Sequence, residues 1–315
     1  MRRACIDMVY RLALKDPRVV FIGSDLSPGL LQEMKDAMPE RYYMEGVTEA
    51  NVIGMAAGMA MDGFMPFVNT IATFITRRCY EQVALDLCLH HLPVRLIGNG
   101  GGLVYAPLGP THLAVEDIAI MRALPNMTVT AVADAEEMKR LMEATLDWPH
   151  PIYIRLAKGG DPIVSRPELG FAIGRAVVMR RATTPRPVLF VACGIMTNRA
   201  LKAADLLAQQ GIDAEVLHVH TVKPLDEELI LDRLADAGCV FTLEEHTVIG
   251  GLGSAVVDLA VERLPAALPP IRKLGLADRF SENYGSQDDL LALAGLQPPQ
   301  IAARVVQTLG RRDAA

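Results

Sequence analysis

Short β-rich apolar runs alternate with longer helix-patterned segments along this chain. That alternation confines it to parallel sheets covered by helices. In the first half, strands are predicted at 19–23, 42–44, 65–69, 94–98, 128–132 and 152–156. Helices are predicted at 3–14, 30–37, 73–89, 115–124 and 135–146, the last capped by Asp134. Periodicity lapses in KGGDPIVSRPEL (158–169), where Gly and Pro cluster as in a linker. A second set of strands follows at 176–179, 188–193, 214–220, 239–244 and 271–274, with helices at 198–210, 226–236, 250–264 and 301–309. The fold expected is α/β: two three-layer α/β/α domains with mostly parallel sheets. The first spans 1–160, a linker 161–175, and the second 176–315.

Bulk properties remove several function classes. Lys and Arg number 31 against 37 Asp and Glu, a formal charge of −6, which argues against nucleic-acid and membrane-surface partners. No apolar run reaches the roughly 18 residues of a membrane span. The first twenty residues lack a long apolar core and carry Asp7 and Lys15, so they read as a helix rather than a signal peptide. Cys5, Cys79, Cys88, Cys193 and Cys239 are scattered with no C-x-x-C, which points to a reducing cytoplasm and no structural zinc.

The chemistry concentrates in MEGVTEANVIGMAAGMAMDG (44–63). Thr48 is placed to cap a helix that opens with Glu49, and the helix itself is built of Ala, Gly and Met. Gly54 and Gly58, four apart, let another backbone approach. An acid at the mouth of an apolar helix has two readings. It complements the helix dipole, or it is kept dry and protonated to hydrogen-bond a ligand nitrogen. Further on, the glycine-rich loop NGGGLVYAPLGPTH lacks the order of a nucleotide-phosphate loop but suits a lid or a close approach. His112 reads either as a satisfied histidine or as a proton donor in a cleft. Phe74 reads as a core aromatic on its own. Arg155 and Lys158 follow a strand and either pair with a phosphate or face water. His218 and His220 share a strand face, and two ligands do not make a metal site.

Taken together, these segments resemble the transketolase family. GVTEANVIGMAAGMA is similar to its cofactor-glutamate segment, FIGSDL to the strand-loop before it, and PFVNTIATFITRRCYEQV to the strand-helix carrying an aromatic beside thiamine. LGPTHLAVED resembles the family's G-P-T-H segment. HTVKPLD and EEHTVIGGLGSAV resemble the C-terminal domain shared by transketolases, deoxyxylulose-phosphate synthases and 2-oxo-acid dehydrogenase beta subunits. The resemblance covers nearly the whole chain in order. It implies a pyrimidine-binding domain of the thiamine diphosphate fold followed by a transketolase C-terminal-like domain.

The resemblance also assigns roles. Glu49 would bond to the ring nitrogen N1′ of the aminopyrimidine, Phe74 would lie beside that ring, and Asp25 would sit near the cofactor at a subunit boundary. His112 would move protons on the donor's hydroxyls. Lys158, where the family often has arginine, and Arg155 would meet a substrate phosphate. No G-D-G occurs to hold Mg²⁺ and the diphosphate. The chain therefore resembles the C-terminal subunit of a split transketolase, a cytoplasmic transferase of carbohydrate metabolism. It would use thiamine diphosphate and Mg²⁺ held mainly by a separate N-terminal diphosphate-binding subunit, in an α2β2 heterotetramer. Leu108 replaces the usual aspartate before G-P-T-H, Gly100 marks where a histidine is often found, and Ile71 and Arg77 replace two pocket aromatics. These departures put the ordinary pentose phosphates in question. The alternatives are the beta subunit of another thiamine diphosphate enzyme, of the 2-oxo-acid dehydrogenase or deoxyxylulose-phosphate synthase type, and a non-catalytic scaffold.

Overall fold

The computed structural model describes residues 1–24, 26, 29–264, 266 and 268–313. In chain order the first half holds α1 (Arg2–Lys15), β1 (Val19–Gly23), α2 (Gln32–Ala37), β2 (Tyr42–Met44), α3 (Glu49–Met61) and β3 (Met65–Ile71). Next comes a composite helix, α4, made of Phe74–Arg78, Tyr80–Gln82 and Val83–Leu89, whose first and last parts have π winding. Then follow β4 (Arg95–Asn99), α5 (Asp117–Ala123), β5 (Thr128–Thr130), α6 (Ala135–Ala144) and β6 (Ile152–Leu156). The second half holds β7 (Val177–Arg180), β8 (Val188–Ala192), α7 (Met196–Ala208), β9 (Ala214–His218), β10 (Thr221–Lys223), α8 (Glu227–Asp236), β11 (Cys239–Thr247), α9 (Leu252–Arg263), β12 (Ile271–Leu276), α10 (Gln287–Leu293) and α11 (Pro298–Asp313).

The strands form two sheets. A seven-stranded sheet runs β10-β5-β6-β4-β3-β1-β2, and a five-stranded one runs β12-β11-β8-β9-β7. All pairings are parallel except β10 on β5 and β7 on β9. This is the mostly parallel α/β architecture expected, with helices on the faces. Alternate residues of the first sheet feed two cores. Phe21, Phe67, Ile97, Ile152 and Ile154 pack with α1 and α6 residues such as Val9, Leu12, Met138 and Leu141. Ile22, Val68, Leu96 and Tyr153 pack with Val52, Ile53, Ile75, Val83 and Met121 from α3, α4 and α5. The latter core continues into Leu189, Val191 and Leu217 of the second sheet, so one apolar mass joins both sheets.

Two elements depart from the sequence reading. The predicted strand 214–220 ends at His218, and Thr221–Lys223 crosses to the edge of the first sheet as β10. An apolar run fixes extended backbone but not which sheet it joins. α10 was not expected, although Ser286 and Asp289 form a reciprocal capping box at its start. Asp134 does cap α6, accepting from the Glu136 and Glu137 N–H groups.

Candidate active site

β1, β2 and β3 are neighbours, and their carboxyl ends open on one edge of the first sheet. That edge is where open α/β sheets take ligands. After β2 the chain turns at Gly46, whose φ of +69° is unfavourable for a side-chain-bearing residue, and enters α3 at Glu49. Thr48 stands at the cap position, but its hydroxyl donates back to the Glu45 carbonyl. The turn lowers Glu49 into a narrow cavity lined by Ser24, Gly46, Val52, Val68, Asn69, Thr70 and Ile75. Glu49 is 4% exposed.

The expected lone acid has a cationic partner. Arg78 Nη1 donates to Glu49 Oε2 at 2.7 Å, and the Arg78 guanidinium carbon lies 4.1 Å from the Phe74 ring centroid. Phe74 in turn meets the His112 imidazole edge-on, with centroids 5.3 Å apart. His112 Nδ1 lies 2.9 Å from the Thr111 hydroxyl. The structure thus brings Glu49, Phe74 and His112 into one chain of contacts, with Arg78 as the connecting group.

This arrangement tests whether an aminopyrimidine ring fits. The guanidinium is a planar, N–H-bearing group that bonds a carboxylate in its plane and stacks on an aromatic face. Arg78 therefore shows that the space between Glu49 and Phe74 receives a group of that shape and hydrogen-bonding character. Ser24 Oγ, buried in the same cavity lining, has no hydrogen-bond partner among the described residues, which leaves it open to a ligand. Asn69 Oδ1 accepts from Asn99 Nδ2 at 2.5 Å, so its orientation is fixed from the neighbouring strand. The residues present fit the ring.

The remaining expected residues lie elsewhere. Asp25 is outside the described residues. Arg155 is a correction. It is 7% exposed, and its Nε and Nη2 go to Asp117 at 2.8 and 3.1 Å, with Nη2 also bonding the carbonyls of Ala114 and Glu245. Those bonds commit it to the interior, not to a substrate phosphate. Burial disfavours the Arg155 charge, but the adjoining Asp117 carboxylate outweighs it and holds the Arg155 pKa above the ordinary arginine value. Lys158 is exposed and lines a separate groove with Arg199, Lys202, Asp161 and Asp288. Leu108 is 51% exposed beside Gly109, which has a φ of +76° and where a Cβ would collide with the Tyr284 ring. His218 and His220 are buried, with His218 between Thr197 Oγ1 at 2.6 Å and Glu137 Oε2 at 2.8 Å. No cluster of three or more side chains suited to a metal ion occurs among the described residues.

Sequence reasoning missed Ser24, Asn69 and Arg78. The tandem Arg77–Arg78 four residues beyond Phe74 was the available signal for Arg78, since i and i+4 share a helix face. Ser24 stands in FIGSDL next to the aspartate that drew attention instead.

Comparison with known proteins places these features in context. Residues 1–160 match the family model of the transketolase pyrimidine binding domain, and residues 176–301 that of the transketolase C-terminal domain. Over 314 residues the chain is 36% identical to the 6-deoxy-6-sulfo-D-fructose transketolase subunit SqwH of Clostridium sp. (strain MSTE9), covering 99% of this chain and 95% of that protein. It is 37% identical over 306 residues to the 1-deoxy-D-xylulose-5-phosphate synthase of Thermomicrobium roseum (strain ATCC 27502 / DSM 5159 / P-2), covering 96% of this chain but 47% of that enzyme. Among solved structures it is similar to a split gene transketolase in an inactive beta4 tetramer, with a TM-score of 0.89, 36% identity and 98% of both chains covered.

Proposed function

Because the chain belongs to the transketolase family, we propose that it is the pyrimidine-binding and C-terminal subunit of a split, thiamine diphosphate-dependent transketolase. The observation that carries this reading is the Glu49–Phe74–His112 constellation at the sheet edge, already shaped around a planar nitrogen group. When bound, thiamine diphosphate supplies a carbon nucleophile and an electron sink for cleaving a ketose carbon–carbon bond. Glu49, itself 4% exposed, bonds the ring nitrogen from a largely desolvated position, where the hydrogen bond is strengthened. Phe74 gives the ring a flat apolar wall. Ser24 offers a buried hydroxyl that has no partner among the described residues. His112, edge-on to Phe74, moves protons on the sugar hydroxyls. Lys158 is a point charge for a phosphate or another terminal anion.

A separate diphosphate-binding subunit completes the site and holds Mg²⁺. In support, this chain contains no G-D-G, and a relative of nearly equal length is itself named a transketolase subunit. The surface of α3 supports an assembly. Asn51, Gly54, Gly58 and Met61 are exposed along one stripe, and a Cβ built at either glycine meets nothing within 4 Å. A second backbone can approach such a stripe closely, as an α2β2 heterotetramer with the site between unlike chains requires. No helix among the described residues is long and apolar enough to cross a membrane. The proposed compartment is the cytoplasm. The donor is a ketose, and exposed Leu108, standing where the family's aspartate would read a hydroxyl, sets it apart from the ordinary pentose phosphates.

The test is reconstitution. The chain and its diphosphate-binding subunit, with thiamine diphosphate and Mg²⁺, should transfer a two-carbon ketol unit from a ketose to an aldehyde. Decarboxylation of pyruvate without ketol transfer would assign it to the synthase or dehydrogenase class instead.

A further inference from the structure

Arg77 and Arg78 are adjacent, yet the structure treats them differently. Arg77 is anchored: its Nε lies 3.0 Å from Glu116 Oε1, and Nη2 reaches the Thr73 hydroxyl and the Thr111 carbonyl. Arg78 spends one donor on Glu49 and holds its guanidinium carbon over the Phe74 ring, 4.1 Å from the centroid, while its side chain remains 45% exposed. The two groups that hold it are the two assigned above to the cofactor's aminopyrimidine ring. A ring and a guanidinium cannot both lie on Phe74 and bond Glu49 from that face.

We propose that Arg78 is a placeholder for the cofactor ring. In the free subunit its guanidinium covers Phe74 and neutralises Glu49. The ring enters by displacing it toward solvent, on the side where it is already exposed. This inference rests on the reading of Glu49 and Phe74 as the ring's seat. It makes cofactor binding an exchange rather than an addition. Apparent affinity is then reduced by the fraction of molecules whose seat is open, and a seat open in about a tenth of molecules weakens binding about tenfold. The diphosphate contacts of the second subunit would tip the exchange, so the seat stays shut until that subunit is present.

The experiment measures binding by isothermal titration calorimetry, independently of turnover. The probes are thiamine on the full chain and thiamine diphosphate with Mg²⁺ on the reconstituted two-subunit complex. Arg78→Met, whose apolar stem lacks the planar cation, should bind both probes about tenfold more tightly than the native chain. Arg78→Lys, which keeps the charge but not the plane, should gain less. Unchanged or weaker binding by Arg78→Met overturns the placeholder. Should Arg78→Met fail to fold by circular dichroism, Arg78→Lys decides: a gain supports the exchange and no gain overturns it. Glu49→Ala separates the two levels of the argument. If it weakens binding while the Arg78 variants do not strengthen it, the seat stands and the placeholder falls. If Glu49→Ala binds as the native chain does, the seat itself is misassigned and the exchange falls with it.

Discussion

Two arginine–carboxylate pairs in this protein look alike in outline and differ in every detail that matters. Arg155 and Asp117 are almost wholly buried, with side-chain exposures of 7% and 0%. Arg155 takes both carboxylate oxygens, Tyr153 adds a hydroxyl at 2.7 Å, and Arg155 Nη2 reaches the Glu245 carbonyl of β11 at 2.8 Å. The side chain of Glu245 extends the network to the Leu103 N–H and to Gln287 at 2.7 Å. The pair therefore ties β6 and α5 to the second sheet, to the glycine-rich loop and to α10. Arg78 and Glu49 share one bond, and the arginine is 45% exposed. A saturated pair is architecture, whereas a pair with unused donors and a route to water can be exchanged. Arg155 lies within β6 and Arg78 in α4 after β3, yet both head groups meet a carboxylate at the start of a helix, so the local setting alone does not separate them. The number of satisfied donors does.

The largest expected effect falls on the saturated pair. Arg155→Met should lower the unfolding free energy by roughly 3–5 kcal/mol, because Asp117 is left as an uncompensated buried charge. Urea unfolding of the full chain measures this, and a loss below about 1 kcal/mol would remove the architectural half of the comparison. Glu49→Gln tests the other half. It should leave the chain folded and able to pair with its second subunit, yet cut ketol-transfer turnover by about 100-fold or more. Full turnover in that variant would mean that Glu49 serves only the helix dipole.

What was legible in the sequence follows the same division. Strands buried on both faces announce themselves as apolar runs, and β1 and β6 fall at 19–23 and 152–156 as expected. Glu49, Phe74 and His112 were visible because their segments keep a recognisable order, and the structure brings them together. Arg155 and Lys158, three residues apart, read equally well as phosphate ligands. Only the fold places Asp117 against the first and leaves the second in a solvent groove. Arg78 was hidden for the converse reason. Its acidic partner is 29 residues away on another helix, and the i, i+4 spacing from Phe74 reports only the aromatic contact. β10 was misplaced because extended backbone carries no label for the sheet it will join.

A third polar cluster belongs with the saturated class and makes it sensitive to acid. His220, in the link from β9 to β10, stacks on Phe171 at 4.3 Å and lies 5.7 Å from His218. Burial pushes the His220 imidazole down from 6.5 to about 4, with Glu137 opposing the shift only in part. The folded chain therefore holds this ring neutral while the unfolded chain binds a proton below pH 6.5. The contribution is fully present above that value and is lost as pH falls toward 4. His246, also lowered from 6.5 to about 4 by burial, acts in the same direction. Glu244, raised by burial to about 7, acts in the opposite one. His220→Gln should remove roughly 1–3 kcal/mol of the stability difference between pH 4.5 and 7. Urea midpoints at the two pH values read it, and an unchanged difference would show that His220 is not held neutral in the fold.

The smallest expected effect is the most discriminating. Arg78→Met removes an ion pair and a cation–aromatic contact from a half-exposed side chain. Each such interaction at an exposed site contributes on the order of 0.5–1 kcal/mol. The methionine stem can still cover part of Phe74, so much of the apolar contact survives. Glu49 loses its partner at a cavity that borders solvent, and it can recover through water what Asp117, with no exposed side-chain surface, cannot. The full chain should therefore lose only about 1 kcal/mol, read from the same urea transition as Arg155→Met. A loss matching that of Arg155→Met would make the two pairs equivalent. An arginine held that firmly could not yield its place to an entering ring, so the same number that erases the contrast would also close the exchange route.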